Sequence, residues 1–420
     1  MRDFVIKWGL PAVAFLLPWQ TRWIFYETLL GGQPFDFGVL SLYAVTLLLL
    51  VVVLLSGRPC WSHESRKPAL LILFVVMAGL ASVMVAINQL LALVALMHLV
   101  FAAVFFLALL DQRVEVKRVM IGFCAGLVIP CLLGLWQIMT GGSGASTFLG
   151  LATRDSARLG EAVFELSSGN RIERAYGSFG HPNIFGGYLA VGIFSLIYLW
   201  QQIKDHRDQL LIKGGLILFS LTLIATFSRS AILGLFLGLL VWYIGANNLR
   251  LTKKTVIKIG ISLALLMVVA WPIVSSRFDF SSANESRSIN ERVAQYQDFP
   301  SVVSGHWLTG QGIGNYTLAV RETFPQRQWW EYQPIHNVTL LLVGEIGLLG
   351  LICMLLWIAG LVRLNISQSP SEATSLSFAF LSIILVISFF DHYLWSLWSG
   401  LILAAFVAAL ITRLGEKLAS

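Results

Sequence analysis

Long apolar runs, separated by short polar connections, make up most of this chain. Segments of about 17 to 25 apolar residues are long enough to cross a bilayer as helices. The pattern predicts twelve of them, at 4–22, 37–56, 69–87, 89–110, 119–139, 184–202, 210–227, 231–247, 257–274, 337–362, 374–390 and 395–412. No internal repeat or low-complexity segment divides the chain. We therefore expect an all-α integral membrane protein in which residues 1–420 form one polytopic domain.

The composition supports a membrane protein and excludes a soluble one. Hydrophobic residues make up 57% of the chain and charged residues 12%, whereas charged residues are about 25% of an ordinary soluble domain. The four cysteines lie too far apart in the sequence to form a zinc motif. No metal, no cofactor and no nucleic-acid partner are expected, and membrane lipids are the expected surroundings.

The distribution of lysine and arginine predicts the orientation. Short cytoplasmic loops are enriched in Lys and Arg, and placing both termini in the cytoplasm puts all nine lysines on the inner side. Two long loops, about 140–183 and 275–336, then lie outside. The outer loops carry eleven cationic residues, and every one of them is arginine. This use of arginine exceeds what topology alone requires.

The second long loop has its own predicted order. Ser288 and Glu291 have the spacing of a helix capping box, and Val293 and Tyr296 follow at helical spacing, so a short amphipathic helix is predicted to begin there. The glycines at 310, 312 and 314 predict a tight irregular turn. No Gly-Lys-Ser or Gly-Lys-Thr follows it, so this is not a nucleotide-binding loop.

Four polar clusters lie near the outer ends of predicted helices, although they are scattered along the sequence. Because helix ends on one side of a membrane can converge, we expect these clusters to form one pocket. They are Arg174 with His181 and Asn183, then Ser228-Arg229-Ser230, then His336-Asn337, and finally Asp391-His392.

Three of these clusters also have a structural interpretation that the sequence leaves open. His181, followed by proline, fits the first turn of a helix, and His336 with Asn337 fits a second polar helix start. Arg229 fits an anchor whose guanidinium reaches the lipid headgroups. No helix start requires Arg174.

The remaining polar positions are equally ambiguous. Asp391-His392 either belongs to the site or merely turns a hairpin between two spans. Glu345, inside a predicted span, is either a buried acid that is protonated or paired, or a residue with a catalytic or relay role. The aromatic residues just before His336 fit either a membrane-interface belt or a platform for a sugar ring. They are Trp329, Trp330 and Tyr332.

The residue types point to a transfer reaction. Guanidinium groups bind phosphate oxygens through two parallel hydrogen bonds, which an ammonium cannot do. A histidine can accept a proton from a hydroxyl near neutral pH. Since nucleotide sugars are absent outside the cytosol, the natural donor for such a site is a lipid-linked diphosphate sugar.

Four segments, in this order and spacing, resemble the O-antigen ligase and O-antigen polymerase superfamily. The resemblance covers roughly residues 171 to 360, and DHYLW at 391–395 extends it. The N-terminal third is similar only in hydropathy. The segments are RAYGSFGHPNIFGGYLA, TFSRSAILGL, GHWLTGQGIGNY and HNVTLLLVGEIGLLGL.

The resemblance implies an inverting, metal-independent glycosyltransferase of the bacterial cytoplasmic membrane, with its site facing the periplasm or cell exterior. The expected donor is an undecaprenyl-diphosphate-linked oligosaccharide, and the expected acceptor is lipid A–core or a growing polysaccharide. By matched motif, Arg174 and Arg229 resemble the diphosphate-binding arginines, His336 resembles the catalytic base, and Arg292 is a further match. His181, Asn183, Asn337, Glu345, Asp391 and His392 are expected to support the site.

The sequence leaves the acceptor open, so ligase and repeat-unit polymerase are both compatible with it. A polysaccharide or lipid transporter is the alternative from another class, but transporters place their sites at mid-membrane between repeated halves. A cell-wall polymerase of the shape and division type is a further alternative, although that family uses an acidic residue in an outside loop.

Overall fold

The computed structural model describes residues 2–30, 32–158, 161–165, 171–245, 257, 260–261, 283–367 and 371–416. Within these residues, eight helices are long and apolar enough to cross a membrane. They are α3 (Arg66–Val83), α4 (Gln89–Leu109), α5 (Val116–Thr140), α6 (Pro182–Gln202), α7 (His206–Thr226), α11 (Val338–Ile366), α12 (Glu372–Phe390) and α14 (Trp398–Glu416). Helices α1 (Arg2–Leu16), α2 (Ala44–Ser56) and α8 (Arg229–Gly245) are shorter. The helical membrane fold is thus confirmed, while most of the predicted segment at 257–274 lies outside the described residues.

The N-terminal third departs from the prediction. Strands β1 (Arg22–Leu30) and β2 (Gln33–Tyr43) form an antiparallel hairpin, with Arg22 opposite Tyr43. The predicted helix at 37–56 is therefore wrong over its first part, since α2 begins at Ala44, and the predicted helix at 4–22 ends at Leu16. The aromatic and β-branched run WIFY at 23–26 favours a strand, and the glycines before Gln33 favour a hairpin turn.

The described parts of both long loops contain secondary structure. In the first, β3 (Gly142–Ser143) pairs with β4 (Arg154–Asp155), and β5 (Val163–Glu165) pairs with β6 (Arg171–Glu173). The second contains α9 (Ala283–Val302), α10 (Tyr316–Thr323) and a 3-10 turn at Trp329–Glu331. The predicted amphipathic helix exists, but Ser288 lies inside it and the predicted cap at Ser288 is wrong. Helix α9 begins at Ala283, five residues before Ser288.

Contacts between distant loops place both long loops at the same end of the helix bundle. Ser178, in the first long loop, donates a hydrogen bond to the carbonyl of Pro18 at 2.5 Å. The ring of His336, at the end of the second, has its centroid 4.9 Å from that of His392, which lies 5.4 Å from the ring centroid of Phe37. At the other end, Ser62 donates to Glu416 at 2.6 Å. One end of the bundle therefore collects the segments that carry the predicted site.

A kink in α11 receives the glycine-rich turn. Gly347 has a φ of 72°, which interrupts the helix and frees backbone groups that need new partners. The N–H of Gln311 donates to the carbonyl of Gly344 at 2.8 Å, and Leu348 donates to the carbonyl of Trp307 at 2.8 Å. A Cβ at Gly347 would collide with the carbonyl of Leu308. The predicted turn is confirmed, with positive φ at each of its three glycines.

Candidate active site

Arg174 is a buried arginine at the end of the first long loop, just after β6, and it is only 5% exposed. Its Nε donates to the carbonyl of Thr226 at 2.7 Å, and its Nη2 donates to Oδ1 of Asn183 at 2.8 Å. One edge of the guanidinium is thus used to join the end of α7 to the start of α6. A buried charge persists only when it is paired or hydrogen-bonded, and these bonds supply part of that requirement.

The loop that follows Arg174 is held by a side chain from inside the bundle. Oε1 of Gln137, on α5, accepts from the N–H of Tyr176 at 3.1 Å and from the N–H of Gly177 at 2.9 Å. Its Nε2 donates to the carbonyl of Gly177 at 3.0 Å. Gly177 has a φ of 57°, a conformation that favours glycine. The turn is therefore rigidly placed before α6 begins.

Asn183 connects two clusters that lie far apart in the sequence. Its Oδ1 accepts from Arg174, and its Nδ2 donates to Oδ2 of Asp391 at 2.8 Å. Asp391 follows α12, and its Oδ1 accepts from the N–H of His392 at 2.8 Å. His181 is the N-cap of α6, and its Nδ1 accepts from the N–H of Asn183 at 3.1 Å. The helix-start interpretation of His181 is confirmed, and the same helix start brings Asn183 to the site.

His336 and His392 lie against each other at the centre of the site. Their ring centroids are 4.9 Å apart in an edge-to-face arrangement. Nδ1 of His336 is 2.9 Å from Oε1 of Gln295, and Nδ1 of His392 is 2.7 Å from Oγ of Ser396. Asp391 and His392 thus both turn the chain and take part in the cluster.

The local environment keeps the histidines neutral. Burial lowers the pKa of His336 to about 3, and the neighbouring His392 and Arg292 lower it further against the opposing effect of Asp391. Burial likewise lowers the pKa of His392. Burial opposes ionisation of Asp391, but the three nearby histidines and the hydrogen bond from Asn183 hold the pKa of this carboxyl below its usual value. A neutral imidazole beside a carboxylate is suited to accept a proton.

His336, Asp391 and His392 also have the composition of a metal site. One potential ligand atom from each lies within 4.8 Å of the other two. Imidazole and carboxylate groups are ligands for zinc and other transition metals. The trio could therefore hold a divalent cation as well as exchange protons, and the two uses compete for the ring nitrogens.

Arg229 and Arg292 reach the same end of the bundle from different elements. Arg229 is the first residue of α8, directly after the turn in which Phe227 takes a left-handed φ of 50°. It therefore lies three residues from Thr226, the residue that receives Arg174. Arg292 lies on α9 and contributes to the electrostatic field at His336 and His392. Arg174, through Asn183, and Arg292, through its charge, thus both act on the histidine cluster, while Arg229 begins the helix that follows the turn held by Arg174.

Glu345 and Asn337 have clear structural partners. Oε2 of the buried Glu345 accepts from Nε1 of Trp395 at 2.8 Å, which fits the interpretation as a buried, paired acid. Oδ1 of Asn337 accepts from the N–H of Leu340 at 3.0 Å and caps α11.

The three aromatic residues before His336 differ in their exposure. Tyr332 is 5% exposed, and its hydroxyl lies 3.0 Å from the carbonyls of both Phe324 and Arg327. It packs inside the protein, so it belongs neither to an interface belt nor to a sugar platform. Trp329 and Trp330 are 47% and 45% exposed, and both interpretations stay open for them.

Sequence reasoning overlooked Arg154, which supports the loop that carries His181. Its guanidinium pairs with Glu161 at 2.9 Å, donates to the carbonyl of Gly180 at 3.1 Å and lies 4.1 Å from the ring centre of Tyr176. The ring of Tyr176 in turn packs edge-on against the ring of His181, with the two ring centroids 6.4 Å apart. The sequence also showed no sign of the supporting contacts made by Gln137, Gln295 and Thr226. A side chain or carbonyl inside an apolar or irregular segment belongs to no recognisable motif.

The fold and the site together define a multi-pass helical membrane protein with a histidine and arginine site at one end of its bundle. Residues 214–355, about a third of the chain, match the family described as O-Antigen ligase. This match confirms the resemblance to the O-antigen ligase superfamily and includes Arg229, Arg292 and His336. Arg174, Asn183 and Asp391 lie outside the matched residues. No curated protein matches the sequence.

Proposed function

We propose that this protein transfers a glycan from an undecaprenyl diphosphate carrier to an acceptor hydroxyl, outside the cytosol. One observation carries the proposal. A histidine pair and a carboxylate are joined to a buried arginine through Asn183, although the three segments involved are distant in sequence. The family match supports glycosyl transfer between lipid-linked and polysaccharide substrates in general.

His336 is proposed as the base. Its neutral ring accepts the proton of the acceptor hydroxyl while the hydroxyl oxygen attacks the anomeric carbon of the donor. The bond from that carbon to the phosphate oxygen breaks with its electron pair, on the opposite face, so the configuration inverts. Asp391 then stabilises the imidazolium that forms, as a carboxylate does beside a catalytic histidine.

The arginines are proposed to stabilise the leaving group. Charge accumulates on the diphosphate as the bond breaks, and guanidinium groups fixed in place are effective against such developing charge. Arg229 and Arg292 are proposed to contact the diphosphate directly. Arg174 is proposed to contribute its charge and also to hold Asn183, and through it Asp391, in position.

Purified protein incubated with an undecaprenyl diphosphate oligosaccharide and candidate acceptors tests the proposal. Glycan on lipid A–core would identify a ligase, and longer lipid-linked chains would identify a polymerase. His336→Ala should lower transfer by roughly 10²- to 10⁴-fold, the usual contribution of positioned proton transfer. His63→Ala, an exposed histidine between α2 and α3, is the matched control and should retain activity. Absence of both products would contradict the proposal and favour transport. Undiminished turnover in His336→Ala would remove His336 from the mechanism and point to His392 or Glu345 instead.

A further inference from the structure

Gln295 lies on α9 and makes two contacts with His336 through a single oxygen. Its Oε1 is 3.1 Å from the backbone nitrogen of His336 and 2.9 Å from Nδ1 of the same residue. A backbone N–H is only a donor, so the atom facing it must be the amide oxygen and not the amide nitrogen. The orientation of the Gln295 amide is therefore decided by the backbone of His336.

This orientation decides the proton position on the imidazole. An amide oxygen only accepts hydrogen bonds, so Nδ1 must donate to it. In a neutral ring one nitrogen carries the proton and the other has the free electron pair. We propose that Gln295 is a positioning residue that holds His336 in the Nδ1–H tautomer, which leaves Nε2 as its proton-accepting atom.

The contacts that hold α9 in place fit a positioning role for Gln295. Asp298, further along α9, pairs with Arg327 at 2.7 Å, and the ring of Phe299 contacts that of Trp307 at 5.9 Å. These contacts anchor the C-terminal half of α9 against the rest of the second loop. Arg292 lies three residues before Gln295 and thus on the same side of the helix. One anchored helix presents both an arginine and the amide to His336.

The inference rests on the proposed function for its catalytic meaning, but the tautomer can be measured without any reaction. The full-length protein, labelled with ¹⁵N-histidine in lipid nanodiscs, contains seven histidines. The His336 signals are assigned by their loss in His336→Asn. Nitrogen chemical shifts should show a protonated Nδ1 in the wild type. An Nε2–H tautomer in the wild type would overturn the inference.

Variants connect the tautomer to turnover. Gln295→Ala should release the Nδ1–H tautomer and lower kcat by roughly tenfold, the effect of losing about one hydrogen bond, with KM for the lipid-linked donor nearly unchanged. Gln297→Ala removes an exposed glutamine two positions along the same helix and should change neither readout. Unaltered shifts and turnover in Gln295→Ala would also overturn the inference.

Gln295→Glu distinguishes positioning from mere structural support. It retains the accepting oxygen, so the Nδ1–H tautomer should persist. Gln295→Glu should therefore also retain most of the turnover that Gln295→Ala loses. Loss of the Nδ1–H tautomer in Gln295→Glu, or turnover as low as that of Gln295→Ala with the tautomer retained, would contradict the inference. If the wild type shows the Nδ1–H tautomer but transfers no glycan, the proposed function fails and the tautomer assignment stands.

Discussion

Replacing Arg174 by lysine separates the need for a guanidinium from the need for positive charge. In the structure, Nε and Nη2 donate to two oxygens on different elements, the carbonyl of Thr226 and Oδ1 of Asn183. Lysine keeps the charge but ends in one nitrogen. Because one nitrogen cannot occupy the positions of both Nε and Nη2, we expect at least one of these two bonds to be lost or weakened, and with it part of the hold on Asn183.

The size of the effect follows from that bond. A hydrogen bond to a charged group contributes about 1.5–3 kcal/mol, and about 1.4 kcal/mol corresponds to a tenfold change. Arg174→Lys should therefore lower turnover by roughly ten- to a hundredfold if the loss is expressed in the transition state. Arg174→Ala should lower turnover further, because the oxygens of Asn183 and Thr226 would then lose both the charge and every side-chain donor at this position.

The assay is turnover of the lipid-linked donor by purified variants at matched concentration. Arg158→Lys is the control, since Arg158 lies exposed in the same loop. Arg154, although it lies outside the motif, is not a suitable control because it contacts Glu161, Gly180 and Tyr176.

A double-mutant cycle that combines Arg174→Lys with Asn183→Ala tests whether Arg174 acts through Asn183. Coupled residues show non-additive losses, so the double variant should lose less than the two single losses combined. Full activity in Arg174→Lys would refute this reasoning, because positive charge alone would then be sufficient at position 174. Additive losses would retain a role for Arg174 and remove the connection through Asn183.

Three further predictions concern orientation, pH and metal. A cysteine at Ser304 should react with an impermeant thiol reagent added from outside, while the exposed Cys60 stays shielded in intact cells; the reverse pattern would invert the topology. (A partner site, Ser168, lies outside the described residues.) Because the pKa of His336 is lowered to about 3, its ring stays neutral as the pH falls, so turnover should persist well below pH 6.5; an acid limb near 6.5 or above would contradict this. Chelation with EDTA should leave turnover unchanged, whereas added Zn²⁺ should inhibit by binding His336, Asp391 and His392. This inhibition should be weaker in His392→Ala. Loss of turnover in EDTA that Zn²⁺ restores would instead indicate a metal-dependent enzyme.

Some of the fold could be predicted because lipid acts as a uniform solvent. A helix in hydrocarbon satisfies its backbone internally and needs only an apolar surface, so α4, α6 and α12 are readable from hydropathy alone. In the hairpin from Arg22 to Tyr43, the end of the second strand was misassigned because residues 37–43 are apolar and run directly into the apolar helix α2. Strand and helix then differ only in local geometry, and a window of hydropathy does not report that geometry.

The start of α9 and the kink at Gly347 were missed for another reason. A capping signature reports only a local possibility, and α9 continues through Ser288. The interruption at Gly347 depends on the backbone of 307–312, which supplies the hydrogen bonds that the helix loses there. A glycine inside an apolar run does not reveal that such a partner exists.

The sequence by itself determined the membrane class, the clustering of polar residues at helix ends and the resemblance that singled out Arg174, Arg229 and His336. Only the tertiary structure decided that Asn183, which binds Arg174, also binds Asp391 at a distance of 208 positions in the sequence, and that Gln295 faces His336. The physical reason is the range of the interactions. Hydropathy is a property of each segment in its solvent, whereas a hydrogen bond needs two groups placed within about 3 Å by all the helices that pack between them.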